Sequence, residues 1–438
     1  MKKATVITYG CQMNVNESAK IKKIFQNMGY QVVDEIDDCD AVFLNTCTVR
    51  EGAATQIFGK LGELIELKKN KGTIIGITGC FAQEAGFELI KKFPMIDIVM
   101  GNQNIGRIPD AIEKILKHES EHEVYTDNED ELPPRLDADF GSDKTASISI
   151  SYGCDKRCSF CIVPYVRGKE RSVPMEDILS DVRHYLKKGA KEIVLLGQNV
   201  NAYGKKFKNG DTFAKLLDEI CKIEGDYILR FTSPHPKDFT DDVIDVIARN
   251  EKIARCIHMP LQSGSTKILK KMIRGYTKEQ FLDLAYKIKE RIPGASLTTD
   301  IIVGFPGETD EDFKDTLDVV EKVGFENAYI FMYSIRRGTR AAIMDEQVSE
   351  EIKKERLQKL NNLQDRCAYK ESVKYLGKVM RVLVEGPSKK NKEILTGRTS
   401  TNKVVLFSGD AKLYRGRFVN VKINECKTWT LYGEIVNN

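Results

Sequence analysis

Three cysteines fall within one short run, Cys154-Asp155-Lys156-Arg157-Cys158-Ser159-Phe160-Cys161. This C-x3-C-x2-C spacing puts three thiolates on one tight loop, enough to hold three irons of a four-iron cubane and leave the fourth without a protein ligand. Such an electron-rich, open iron can chelate the amino and carboxylate groups of S-adenosylmethionine and reduce its sulfonium, breaking a carbon–sulfur bond to give a 5′-deoxyadenosyl radical. A zinc knot is the plainer alternative, but structural zinc takes four ligands, and none of the five histidines lies near the run. A second set, Cys11, Cys47 and Cys80, is dispersed at intervals of 36 and 33 residues. Scattered cysteines are usually small buried apolar residues, and Cys39, Cys221, Cys256, Cys367 and Cys426 read that way. If Cys11, Cys47 and Cys80 converge, they can hold a second cubane whose open iron offers a place for an extra sulfur atom.

The elements that must position these residues follow from periodicity. Each dispersed cysteine closes a short β-rich run, Ala4 to Gly10, Ala41 to Thr46 and Thr73 to Gly79. Helical patterns over Glu17 to Met28 and Ala53 to Lys69 lie between them, so residues 1–117 read as a small parallel α/β domain. The carboxyl ends of parallel strands share one edge, where ligands bind, and the three cysteines are expected there. Residues 118–145 turn acidic, with Pro133-Pro134, and read as an exposed linker. Six strand-like runs then alternate with helices across 146–370: Ala146 to Tyr152, Glu192 to Gly197, Tyr227 to Thr232, Cys256 to Leu261, Ser296 to Val303 and Ala328 to Ser334. This implies a partial (β/α)6 TIM-like barrel with its chemistry at the C-terminal strand ends. Residues 371–438 change to short strands and turns, with runs at Val379 to Glu385, Val404 to Phe407, Phe418 to Ile423 and Thr430 to Ile435, as in an OB-like β-barrel.

Charge and compartment bound the partners. The net charge is +4, but residues 371–438 hold 13 Lys/Arg against 6 Asp/Glu, which leaves −3 on the remainder. The basic surface therefore belongs to the C-terminal domain, where Lys389, Lys390, Lys392, Arg398 and Lys403 are candidates for salt-sensitive RNA binding. No apolar stretch approaches the roughly 20 residues needed to span a bilayer. Met-Lys-Lys leads at once into a strand-like run unlike a signal peptide, and eleven cysteines point to metals or catalysis in a reducing compartment. The expectation is a cytoplasmic protein with no membrane partner. Strand-end logic also singles out Arg230, Ser233 and His235 for cofactor or RNA, with a surface turn as the alternative. Gln262 and Asp300 share that logic, and Arg274 and Arg336-Arg337 would suit phosphate contacts, with a solvated charged face as the alternative.

The cysteine run resembles the signature of radical S-adenosylmethionine enzymes over about 146–370. That resemblance places Phe160 near the adenine of the cofactor. It aligns Gln198, in Leu196-Gly197-Gln198-Asn199, with an acidic residue that binds the methionine amine, so an amide replaces the acid. A finer likeness extends over nearly the whole chain. Tyr9-Gly10-Cys11-Gln12-Met13-Asn14, Asn45-Thr46-Cys47-Thr48-Val49-Arg50-Glu51 and Gly79-Cys80 resemble the N-terminal domain of methylthiotransferases, and the basic tail resembles their TRAM domain. Val163-Pro164-Tyr165-Val166-Arg167-Gly168, Pro260-Leu261-Gln262-Ser263-Gly264-Ser265, Met272-Ile273-Arg274-Gly275-Tyr276-Thr277 and Asp300 to Glu308 continue the match. The residues after Cys11 and Cys47 favour the MiaB branch, which modifies N6-isopentenyladenosine beside the anticodon.

This resemblance implies two 4Fe-4S clusters, one on Cys11, Cys47 and Cys80 and one on Cys154, Cys158 and Cys161. One S-adenosylmethionine would methylate a sulfur held at the first. A second, cleaved at the other cluster, would give the radical that removes the C2 hydrogen of adenine. Cofactor contacts are expected from Phe160, Gln198, Arg230, Ser233 and Gln262. The implied partners are tRNA, a reducing electron donor such as a flavodoxin-type protein, and the iron–sulfur assembly machinery, with the chain a monomer. The alternatives are methylthiolation of threonylcarbamoyladenosine or of a ribosomal-protein aspartate, and a noncatalytic iron–sulfur RNA-binding protein.

Overall fold

The structure, a computed structural model, describes residues 1–48, 51–127, 131–137 and 144–436, without the side chains of 51–55. Val49 and Arg50 of the second cysteine motif, and 128–130 and 138–143 of the expected linker, lie outside the described residues. The chain divides into two compact units: Met1–Asp139 with Ser151–Lys156 and Ile162–Val173, and Phe140–Ile150 with Arg157–Cys161 and Pro174–Asn438.

In the first unit, β1 (Lys3–Tyr9), β2 (Gln31–Val32), β3 (Ala41–Thr46), β4 (Ile74–Gly79), β5 (Ile98–Met100) and β6 (Glu123–Tyr125) form one parallel sheet in the order β2-β1-β3-β4-β5-β6. All residues of β3 and β4 are buried, as continuous apolar runs in parallel sheets require, because helices cover both faces. Core side chains such as Phe25, Phe43 and Ile74 fill one face, and Leu44, Leu61, Ile75 and Ile77 the other. Gly76 is set by this packing, since a Cβ there would lie 2.6 Å from the Phe43 ring. The sheet reaches into 118–145, read as an exposed linker: β6 arises there and pairs with β5 through Ile98↔Glu123.

The second unit carries two three-stranded parallel sheets. One runs Ile228–Phe231, Glu192–Leu196, Thr145–Ser149, and the other Cys256–His258, Ser296–Val303, Asn327–Met332. A parallel bridge between Leu229 and Ile253 joins the first sheet to the segment entering the second. Six parallel strands in this order make the partial barrel expected from the βα alternation. In Ser296–Val303 burial alternates from Leu297 onward, so Thr298, Asp300 and Ile302 share the less buried face.

Residues Val379–Pro387, Ile394–Thr399, Val404–Ser408, Phe418–Cys426 and Thr430–Ile435 close into a five-stranded barrel around Val382, Leu395, Phe407, Val421 and Leu431. Ile394–Thr399 is absent from the sequence reading because Gly397 interrupts its pattern. The glycine is there for close approach: a Cβ would meet the Leu383 carbonyl oxygen at 2.5 Å. Among the described residues no helix is long and apolar enough to cross a membrane.

Candidate cluster and cofactor sites

Strand order brings the dispersed cysteines together. β1, β3 and β4 are neighbours, with Tyr9 opposite Thr46 and Thr46 opposite Gly79, so the residues that follow them leave one sheet edge at strand spacings of about 4.8 Å. Cys47 N donates to Tyr9 O at 2.8 Å, Cys11 precedes helix Gln12–Asn27, and Cys80 opens helix Cys80–Ala85. Gly79 makes the last turn possible, because at φ +99° a Cβ would lie 2.2 Å from Thr46 O.

Buried polar groups surround these thiols. Asn14 Nδ2 donates to Asn45 Oδ1 at 2.9 Å, and Asn45 Nδ2 returns a bond to Asn14 O at 2.9 Å. With its proton, Cys11 donates to Asn14 Oδ1 at 3.2 Å. Its thiol is nevertheless lowered to about 5, chiefly by a hydrogen bond with Cys47, against burial and with help from the Arg167 charge. Burial pushes Cys80 up, opposed by Arg167. The Cys80 sulfur accepts from Arg167 Nε at 3.2 Å and from Asn102 Nδ2 at 3.3 Å. Arg167 also binds both oxygens of buried Glu17, through Nη1 at 2.7 Å and Nη2 at 3.3 Å. Burial works against the Arg167 charge, yet Cys80 and Glu17 hold the guanidinium protonated. Helix Val163–Arg167 delivers this arginine by packing Ile162 and Val166 on Cys80.

The clustered run has a comparable donor. Gly153 adopts φ +75°, where a Cβ would meet Lys169 O at 2.1 Å, and Cys154 N donates to Gly168 O at 3.1 Å. In the second unit Cys161 N closes a turn onto Cys158 O at 3.0 Å, and Ser159 N donates to Met272 O at 3.0 Å. Cys158 Sγ accepts from Arg274 Nη1 at 3.3 Å, while Arg274 Nη2 donates to Pro260 O at 3.0 Å. Arg274 is buried and raised despite that burial by Tyr276 and Cys158. It is thus no phosphate contact, as the sequence suggested, but a support for the cysteine loop.

Among the described residues no three His, Cys, Asp or Glu side chains close on one metal-ion-sized point. The donor chemistry nonetheless fits iron–sulfur clusters, which thiolates hold and hydrogen bonds to sulfur tune. Each set of cysteines has a buried guanidinium aimed at one of its sulfurs. Gln198 gives the corresponding test for S-adenosylmethionine. It follows strand Glu192–Leu196, and both its Oε1 and Nε2 are buried without a hydrogen-bond partner among the described residues. Such a group costs free energy unless a ligand satisfies it.

The remaining candidates divide. Gln262 is buried at φ +69° and bridges to Ile301 at the strand end. Ser233 is exposed at φ +58°, a backbone state rare for residues other than glycine and enriched at functional sites. Phe160 packs into a core cluster with Ile268, Met272, Phe305 and Tyr333. Arg230 is committed elsewhere, to Glu192 and to the carbonyls of Thr399 at 2.7 Å and Ser400 at 2.9 Å, so it fastens the C-terminal barrel instead of meeting a cofactor. Lys389, Lys390 and Lys392 are exposed between the first two strands of that barrel. Arg398 pairs with Glu385 at 2.7 Å. Lys403 is buried beside Glu326 and Thr428 O, which removes it from the RNA surface. The sequence reading missed Arg167 and Glu17. It also missed two exposed aromatics, Tyr329 and Phe331, which lie opposite Asp300 and Ile302 in register. Alternation in Asn327–Met332 was the available signal.

Comparison with known proteins matches three family models in chain order. These are the uncharacterized protein family UPF0004 over residues 3–101, the radical SAM superfamily over 148–320, and the TRAM domain over 373–436. A protein of Fusobacterium nucleatum named tRNA-2-methylthio-N(6)-dimethylallyladenosine synthase is 76% identical over 436 residues, covering 100% of both chains. Proteins of the same name from Acetivibrio thermocellus and Bacillus subtilis are 48% and 46% identical, covering 98% and 99% of this chain and 90% and 86% of their own. In fold, the chain is similar to the radical S-adenosylmethionine methyltransferase TsrM of Kitasatospora setae, with TM-score 0.58, 14% identity, and 78% of this chain and 77% of that one covered. It is also similar to the cobalamin-dependent S-adenosylmethionine radical enzyme OxsB, with TM-score 0.53, 17% identity, and 82% of this chain and 56% of that one covered. With full-length identity this high, this chain belongs to the tRNA-2-methylthio-N(6)-dimethylallyladenosine synthase family of radical S-adenosylmethionine enzymes.

Proposed function

We propose that this enzyme attaches a methylthio group to C2 of N6-isopentenyladenosine in tRNA, with one 4Fe-4S cluster on Cys154, Cys158 and Cys161 and a second on Cys11, Cys47 and Cys80. The observation that carries the two-cluster reading is the order β1-β3-β4, which turns cysteines 36 and 33 residues apart into neighbours on one sheet edge. When bound, the clusters and S-adenosylmethionine would supply one-electron cleavage of the sulfonium, radical removal of the C2 hydrogen, and the transferred sulfur and methyl. An unactivated aromatic C–H offers no acidic proton to a general base, so side chains alone cannot do this chemistry.

The residues have narrower tasks. Gln198 would bind the methionine end of S-adenosylmethionine, and Gln262 and Ser233 would line its strand-end site. Lys389, Lys390 and Lys392 would hold tRNA phosphates. The four domain segments 1–117, 118–145, 146–370 and 371–438 belong to this reading, as do a flavodoxin-type electron donor, delivery of clusters by the assembly machinery, a monomeric state and a cytoplasmic location. Mass spectrometry of tRNA nucleosides from cells lacking the gene tests it. Loss of the 2-methylthio form with accumulation of isopentenyladenosine, reversed by the restored gene, is the expected result. An unchanged nucleoside profile would overturn it.

A further inference from the structure

Arg167 is a buried group with no role in the chemistry above. It lies six residues beyond Cys161 and belongs to the first unit, as do its partners Cys80, Glu17 and Asn102, with Nη2 3.4 Å from Asn102 Oδ1. A guanidinium is costly to bury and is retained where its planar fork meets matched acceptors. Here one donor goes to a cysteine sulfur and two to a carboxylate, an arrangement more elaborate than holding a short helix in place would need. We infer that Arg167, with Glu17 as its counter-charge, is the positioning residue that sets the reduction potential of the cluster held by Cys11, Cys47 and Cys80. The inference rests on the two-cluster reading above.

Hydrogen bonds to sulfur and the net charge nearby are principal determinants of iron–sulfur potentials. A cationic donor at the Cys80 sulfur stabilises an added electron, whereas the Glu17 carboxylate offsets much of that effect. Arg274 stands at Cys158 with a tyrosine hydroxyl and a backbone carbonyl as its other partners, and no carboxylate joins them among the described residues. The pairing with Glu17 therefore leaves the site on the sheet edge with the smaller positive bias. A cluster that carries sulfur is served by such a bias, because it should not compete for the electron that cleaves the sulfonium.

The test uses the full chain carrying Cys154→Ala, Cys158→Ala and Cys161→Ala, so that only the sheet-edge cluster is read. Dithionite titration followed by electron paramagnetic resonance compares this parent with Arg167→Met and Glu17→Gln. Arg167→Met is expected to lower the reduced-to-oxidised ratio at a fixed poise about tenfold, about 59 mV for a one-electron couple. Glu17→Gln is expected to raise it. If Arg167→Met loads no iron, Glu17→Gln decides, since it keeps the size and hydrogen-bonding capacity of the side chain: a raised ratio supports the inference and an unchanged one overturns it. Iron retained with no shift in either variant overturns the inference alone. A parent that binds no iron overturns the second cluster, and the inference falls with it.

Discussion

Cys11, Cys47 and Cys80 meet only because three strands lie side by side, whereas Cys154, Cys158 and Cys161 share one loop by spacing alone. The dispersed site depends on a whole sheet and its helices, so its geometry is fixed by a core of buried Phe, Ile and Leu. The clustered site depends on a few turns, and its rigidity comes from outside the loop, through Arg274, Met272 O and Lys271 O. Each solution gives one sulfur a buried arginine. They differ in the arginine's other partners, a carboxylate for Arg167 and neutral oxygens for Arg274. Similar sets of cysteines can thus be given different electrostatic surroundings within one chain.

The largest expected effect separates the two sites by chemistry. Replacing Cys11, Cys47 and Cys80 together with Ala should abolish methylthio product yet leave reductive formation of 5′-deoxyadenosine, measured by chromatography of single-turnover mixtures. The mirror variant, with Cys154, Cys158 and Cys161 replaced, should make no 5′-deoxyadenosine and lose about half of the iron, because in the proposed reading each triad closes its own cubane. Methylthio product from the first variant would break the comparison, since the sheet edge would then carry no sulfur.

Arg274→Met sharpens the comparison at the clustered site. It strips the donor from the buried Cys158 sulfur, an orphaned acceptor that costs about 1–3 kcal/mol, whereas the Pro260 carbonyl keeps its bond from the Tyr276 hydroxyl at 3.0 Å. A loss of about 2 kcal/mol by chemical denaturation is expected, with iron lost from Cys154, Cys158 and Cys161 before Cys11, Cys47 and Cys80. Equal iron loss from both triads would show that the sites are not independently supported.

RNA binding should be indifferent to both cysteine sites. Changing Lys389, Lys390 and Lys392 to Ala removes three exposed charges and should flatten the slope of log affinity for tRNA against log salt by about 2 to 3. Cofactor cleavage without tRNA should not change. Lys403→Ala should leave that slope alone and reduce stability instead, because Lys403 is buried beside Glu326.

The sequence made the cysteines, the parallel sheet, the partial barrel and the small basic barrel legible, because spacing and periodicity are local. It misled where a charge had a distant partner. Arg230 and Lys403 look like ligand-facing cations until the fold pairs them with Glu192 and Glu326, and Glu17 and Arg167 lie 150 residues apart. Short elements also escaped: β6 has three residues in an acidic stretch, and Ile394–Thr399 is split by a glycine needed for close strand approach. In each case the deciding contact is cross-strand or between segments, and no window along the chain contains it.

The smallest effect concerns the framework behind the clustered site. Asp312 caps helix Asp310–Val323 by accepting from Thr309 N at 2.9 Å, and it also accepts from Ser265 Oγ at 2.6 Å and Lys267 Nζ at 2.9 Å. It therefore ties that helix to the strand-end loop Gln262-Ser263-Gly264-Ser265, which starts two residues after Pro260, whose carbonyl Arg274 holds. Burial alone would raise the carboxyl, but these donors overcome it and lower Asp312 from its ordinary value of 3.8 to about 2. A depressed folded value means that the ionised form is favoured by folding. Its contribution, roughly 2 kcal/mol for a shift of this size, is complete above pH 3.8 and disappears as pH falls through 2. Asp312→Asn should accordingly lower stability by about 1–2 kcal/mol at neutral pH and by almost nothing near pH 2, as read from denaturant midpoints across that range. A difference that stays constant from pH 7 to pH 2 would mean that shape, and not charge, is what Asp312 contributes to the loop.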